Sequence, residues 1–155
     1  MAHGIRLLAL RRDIRKSYAK ISHGELVNLW MDTPARTLQL CPLDTEYAAV
    51  PREVWNDVLQ HCGIGRYSYQ SEQRDCDDFA MALRGRVPLE LGLNGVGIVM
   101  DWSGRHAYNA LVYRDGKGLC RIGFIEPQAD DPSGWWVKQP GRQGLYDMDH
   151  GLAVF

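Results

Sequence analysis

The sequence predicts an α+β fold, helices first and antiparallel strands second. Three observations carry that reading. Apolar residues recur at helical spacing over 5–21, 51–62 and 76–84. After Gly95 the period changes to the alternation of strands. The run Asp115-Gly116-Lys117-Gly118 is a hairpin turn between two alternating segments.

Each element has its local reason. Residues 5–21 place Leu7, Leu10, Ile14, Tyr18 and Ile21 on one helical face. Arg6, Arg11, Arg12, Arg15, Lys16 and Lys20 point outward against one acid, Asp13. That basic face is a solvated surface or, in the sharper reading, a docking surface for an acidic partner. Gly24 breaks the pattern. Over 37–40 the alternation suggests a short strand, and Pro34, Pro42 and Asp44 mark turns. Residues 51–62 read as a helix. Pro51 suits its first position, Val54, Trp55, Val58 and Leu59 form its buried stripe, and Gly63 ends it. A second strong helix opens at Cys76 and stops at Gly85. Residues 96–102, 106–113 and 119–126 are strands, 130–134 a loop, and 135–137 and 152–155 further strands.

Composition bounds the class. With 155 residues, the chain has the size of one domain spanning 1–155, with 47–130 as its motif-bearing core and 1–45 as a helical extension. Hydrophobic residues make up 45% and charged residues 24%, an ordinary globular balance. A net charge of −1 gives no global reason to expect nucleic acid or an anionic membrane. No apolar run approaches the roughly 18 residues of a membrane span. Arg11 and Arg12 cut off the apolar start, so no signal peptide is read. Synthesis in a cytoplasm is expected, with delivery in a phage or other assembly left open. Cys41, Cys62, Cys76 and Cys120 form no Cys-x-x-Cys pair, which argues against a zinc knuckle and a disulfide framework.

Cys76 alone among the cysteines has polar neighbours on both sides and a helix start. Unpartnered N–H groups and the macrodipole favour a thiolate there. Its backbone N–H is a candidate oxyanion donor, and Gln70, six residues upstream, a candidate second donor with Gln73 as its rival. His106 begins one strand of the hairpin and Glu126 ends the other, ten residues to either side of Gly116, so the two fall nearly opposite. A carboxylate on the imidazole fixes its tautomer, completing a Cys76–His106–Glu126 triad for thiol chemistry. Asp77 and Asp78 complement the helix dipole or, with Gln128, Asp130 and Asp131, supply hard oxygens to a cation.

Three motifs in order (Asp75-Cys76-Asp77-Asp78-Phe79-Ala80, His106-Ala107-Tyr108-Asn109 and Glu126-Pro127-Gln128) resemble the C-terminal domain of the mushroom agglutinin MOA and its bacterial and phage relatives, over about residues 47–130. The spacing of Gln70 before Cys76 likewise resembles that of papain-type proteases. The resemblance implies a papain-like cysteine protease fold with catalytic Cys76, His106 and Glu126. It implies a peptidase acting on a peptide or protein substrate and dependent on calcium or manganese, with Asp77, Asp78 and Gln128 as metal ligands. The β-trefoil lectin domain that precedes the protease in the agglutinin has no counterpart before residue 47, so sugar binding is not expected. Other readings are a CHAP-like peptidoglycan amidase or endopeptidase, a transglutaminase-like acyl transferase, a calcium-binding structural domain and a catalytically inactive binding module. In the last, the basic helix and Trp135, Trp136 and Tyr146 form the working surfaces.

Overall fold

The computed structural model describes residues 2–129, 131–142 and 144–155. Helix α1 (Ala2–Ser17) leads into strand β1 (Ala19–Ser22) and helix α2 (His23–Met31). A 3-10 turn (Pro34–Thr37) precedes β2 (Gln39–Cys41) and β3 (Glu46–Pro51). Helices α3 (Arg52–Cys62) and α4 (Cys76–Leu91) follow. Then come β4 (Val96–Asp101), β5 (His106–Arg114), β6 (Cys120–Ile125), a single helical turn α5 (Pro132–Trp135) and β7 (Gly151–Val154). No helix among the described residues is long and apolar enough to cross a membrane.

The seven strands make one mostly antiparallel sheet in the order β1-β3-β5-β4-β7-β2, with β6 also on β5. Strand β5 is its centre. One edge carries β6, from Asn109↔Ile125 to Arg114↔Cys120. Its other edge is shared: β4 covers 106–111, and β3 takes over in parallel at Tyr113 and Arg114. The alternation of side chains divides the core. Ala48, Val50, Val96 and Leu111 face α1, α3 and α4, while Tyr47, Ala49, Tyr108, Ala110 and Val112 face Trp30 of α2 and Phe155. Helices therefore cover both faces of the sheet.

Several local expectations are corrected. The first helix stops at Ser17, and Ile21 is a strand residue, because β1 finds an antiparallel partner in β3. Gly24 lies inside α2, whose start is held by a capping box between Ser22 and Glu25. Pro51 is the N-cap of α3 and the end of β3 rather than the first helical residue. Helix α4 runs through Gly85 and Pro88 to Leu91 and ends at the left-handed Gly92 (φ 69°). The burial of Val87 and Leu91 outweighs the penalty of about 1 kcal/mol for glycine and about 3 kcal/mol for proline. Residues 135–137 are not a strand: α5 ends at Trp135, and only an isolated bridge joins Trp136 to Ile125. The first 45 residues are no detached extension, since Leu10 and Ile14 are buried against α3 and β1 completes a sheet edge. The basic face is partly spent internally: Arg11 binds the Glu90 carbonyl, Arg12 pairs with Asp13, and Lys20 pairs with Glu46.

Candidate functional site

His106 enters β5 after the tight turn 102–105, where Gly104 packs so closely on the Leu145 carbonyl that a Cβ would lie 2.5 Å from it. The β5–β6 ladder, extended past Asn109↔Ile125, sets Glu126 against Tyr108 rather than against His106. The two residues are thus diagonal neighbours on one face, within reach of a long side chain. His106 Nε2 lies 2.6 Å from Glu126 Oε2, and the Tyr146 hydroxyl donates to the same oxygen at 2.8 Å. The Gln128 N–H approaches Oε1 at 3.4 Å. Only 7% of the His106 side chain and 14% of the Glu126 side chain are exposed. Burial by itself would raise the Glu126 carboxyl. The hydrogen bond and charge of His106, together with the Tyr146 hydroxyl and the Gln128 N–H, overcome this and hold it below the usual carboxylate range. Burial, followed by the Glu126 charge, pushes the Tyr146 phenol up, so it stays a donor. The rings of Tyr146 and Tyr108 wall the imidazole at 5.5 and 5.7 Å.

Asn109 docks α4 onto the sheet: its Nδ2 donates to Ala80 O at 2.9 Å and Gly97 O at 3.0 Å. Cys76 lies one turn before Ala80, about 6 Å along the helix. Two residues back along β5 is about 6.6 Å and reaches Ala107. Phe79, Leu83, Val87 and Leu91 of α4 share one buried cluster with Val96 and Leu111 of the sheet. Among the described residues no hydrogen bond joins the Cys76 thiol to His106. A buried thiol elsewhere, Cys62, is pushed up to about 12 by its burial.

The carboxylates divide differently from the sequence expectation. Asp78 closes the start of α4 in a capping box with Asp75. Asp77 instead gathers with Asp75 and Cys76, their ligand atoms lying within 4.8 Å of one another. The Asp75 hydrogen bond, and then burial, raise the Asp77 carboxyl. Gln128 offers its backbone N–H to Glu126, the Asp131 backbone carbonyl accepts from Gly134 N in the α5 turn, and Asp130 lies outside the described residues. Gln70 is exposed and closes a turn, with its side chain bound by Arg74 at 3.3 Å. Sequence reasoning named Tyr146 only as part of an aromatic surface and missed its contact with Glu126. Two shallow grooves, of about 500 and 540 Å³, lie away from this cluster, between α1 and α3 and beside residues 147–149.

The arrangement is a mixed α/β scaffold with an imidazole, a carboxylate and a phenol converging at one end of the sheet. No family model and no curated protein sequence matches the chain. Among solved structures it is similar to PSL1a in complex with E64, with 23% identity and a TM-score of 0.65 over 88% of this chain and 51% of that one. It is also similar to the Polyporus squamosus lectin bound to the epitope Neu5Aca2-6Galb1-4GlcNAc, with 21% identity and a TM-score of 0.66 over 88% of this chain and 49% of that one. At these identities the likeness is one of fold, and the chain spans about half the length of the solved chains it matches.

The comparisons correct the expectation of a cysteine peptidase of the MOA-related family. The matched chains are titled as PSL1a and as a lectin holding a glycan, and no family model supports a hydrolase or a phage peptidase. The partner expectation changes with it, because the ligand named for the lectin is an oligosaccharide and not a peptide.

Proposed function

We propose that this chain is a binding module whose ligand is a glycan, contacted at the end of the sheet that carries His106, Glu126 and Tyr146. The observation that supports this most is the trio itself. A largely buried imidazole and carboxylate with a phenol beside them, among aromatic rings, offer the few convergent polar groups against an apolar wall that small-ligand sites use. The glycan named for the lectin of similar fold supports the ligand class. The packing of α4 on the sheet, with Cys76 at its N-terminus, is in this reading a papain-like arrangement put to binding.

A cation is part of the proposal. Asp75 and Asp77 supply two carboxylates short of a positive partner, a donor chemistry that fits calcium or manganese, whereas the Cys76 sulfur is a poor ligand for either. When bound, the ion would neutralise the two neighbouring carboxylates and stiffen the start of α4.

The test is calorimetric titration with the sialylated trisaccharide, with and without calcium, on wild type and His106→Ala. Binding that falls at least tenfold in a folded His106→Ala protein supports the reading. Absence of glycan binding, together with hydrolysis of a peptide library that is lost in Cys76→Ala, overturns it.

A further inference from the structure

We infer that Tyr146 is the positioning residue of this site, delivered by the C-terminal segment to hold Glu126 in the rotamer that meets His106. The inference rests on the site described above but not on the identity of its ligand.

Glu126 stands just beyond the end of β6, where the ladder no longer holds it. Its backbone N–H is fixed by Trp135 O at 2.7 Å, yet its side chain has a choice of rotamers. Three groups restrict that choice: His106 and the Tyr146 hydroxyl on Oε2, and the long Gln128 N–H contact on Oε1. Tyr146 touches both partners at once, with its hydroxyl on the carboxylate and its ring edge on the imidazole. It lies 5.2 Å, edge-on, from Tyr108, the residue that the ladder sets opposite Glu126.

The tyrosine is itself well anchored. Its carbonyl accepts from Gly141 N at 2.8 Å, and a bridge joins it to Arg142. Two residues later Met148 N donates to buried Asp101 at 2.8 Å. Asp101 sits directly opposite His106 in the β4–β5 ladder. The segment that carries Tyr146 and Met148 is therefore tied to the strand beside His106, which fixes the phenol relative to the imidazole.

The consequence is chemical. With Nε2 committed to Glu126, the neutral imidazole keeps its proton on Nε2 and presents Nδ1 as an acceptor. Tyr146 thereby sets the tautomer that the site offers. The groups facing His106 are Glu126, Tyr108 and Tyr146, with Asp101 behind the Tyr108 hydroxyl.

The experiment is nitrogen-15 NMR of the imidazole in wild type, Tyr146→Phe and Tyr146→Leu, with no ligand present. Wild type should show the Nε2–H tautomer and a downfield, slowly exchanging Nε2 proton. In Tyr146→Phe, which keeps the ring, that proton should exchange at least tenfold faster and Nδ1–H tautomer should appear. If Tyr146→Phe matches wild type, whether or not Tyr146→Leu is perturbed, the hydroxyl has no positioning role and the inference is overturned. Should Tyr146→Phe fail to fold, the wild-type spectrum decides. A cross-peak between the Tyr146 hydroxyl proton and the His106 Nε2 proton supports the inference, and its absence sinks it.

Discussion

Two carboxylates stand on the two sides of β5 at its His106 end, and they do different things. Asp101, on β4, is 1% exposed and collects the Ser103 hydroxyl at 2.6 Å, Gly104 N at 2.9 Å, Met148 N at 2.8 Å and the Tyr108 hydroxyl at 3.3 Å. Glu126, just past β6, is mostly buried and collects an imidazole and a phenol. The donors to Asp101 are backbone and hydroxyl groups that hold still across the working pH range. Those to Glu126 are chiefly side chains, an imidazole and a phenol brought in from two separate segments. A buried acid surrounded by fixed donors is a structural clamp. An acid held mainly by side chains that converge at the end of the sheet is where ligand chemistry is to be looked for.

Substitution should separate the two. Asp101→Ala takes the acceptor from four donors, of which the Tyr108 hydroxyl and Met148 N are buried, and frees the 102–105 turn and Met148 together. It should cost about 3 kcal/mol, a fall in Tm of about 6–12 °C, read by calorimetry. A loss under about 1 kcal/mol would end the claim that Asp101 is the clamp. Glu126→Gln should cost less, about 1.5 kcal/mol at neutral pH, because water and the amide replace part of the network.

The effect on pH dependence is sharper. The folded Glu126 carboxyl is depressed, so its stabilisation is full above the ordinary carboxylate range and is lost as pH falls through the depressed value. Glu126→Gln should flatten that acid limb in a urea-melt series, and an unchanged limb would assign it elsewhere. The smallest effect belongs to Asp77. Its carboxyl is raised, so the charged form is disfavoured once pH exceeds the folded value. Asp77→Asn should therefore raise neutral-pH stability in chelator by under about 1 kcal/mol and abolish any calcium-induced rise in Tm. A calcium response that survives the substitution would remove Asp75 and Asp77 as the cation site.

Much of this was legible locally. The Asp115 turn is there, with its side chain accepting from Lys117 N and Leu119 N, because four residues suffice to make it. Helix α3 ends at Gly63 in the left-handed region (φ 57°), as a lone glycine after an apolar stripe predicts. The His106–Glu126 pair was readable from the hairpin, though the register is one diagonal off the expected facing pair because the turn centres nearer Lys117. The capping box that opens α2 was present as Ser22-His23-Gly24-Glu25 and was passed over because Gly24 reads as a breaker.

What the sequence by itself determined, then, was the set of elements whose causes lie within a few residues: the caps, the hairpin, and the change of period after Gly95. Tertiary structure alone decided the rest. Strand β7 lies between β4 and β2, β1 closes on β3, and α4 continues through Gly85 and Pro88 because distant surfaces bury its last two turns. Tyr146 reaches Glu126 only because Met148, two residues beyond it, is held by Asp101, forty-seven positions earlier in the chain. Local spacing sets what a segment can become. Burial against partners far along the chain decides which of those states is lowest in free energy, and that term appears only once the sheet has closed.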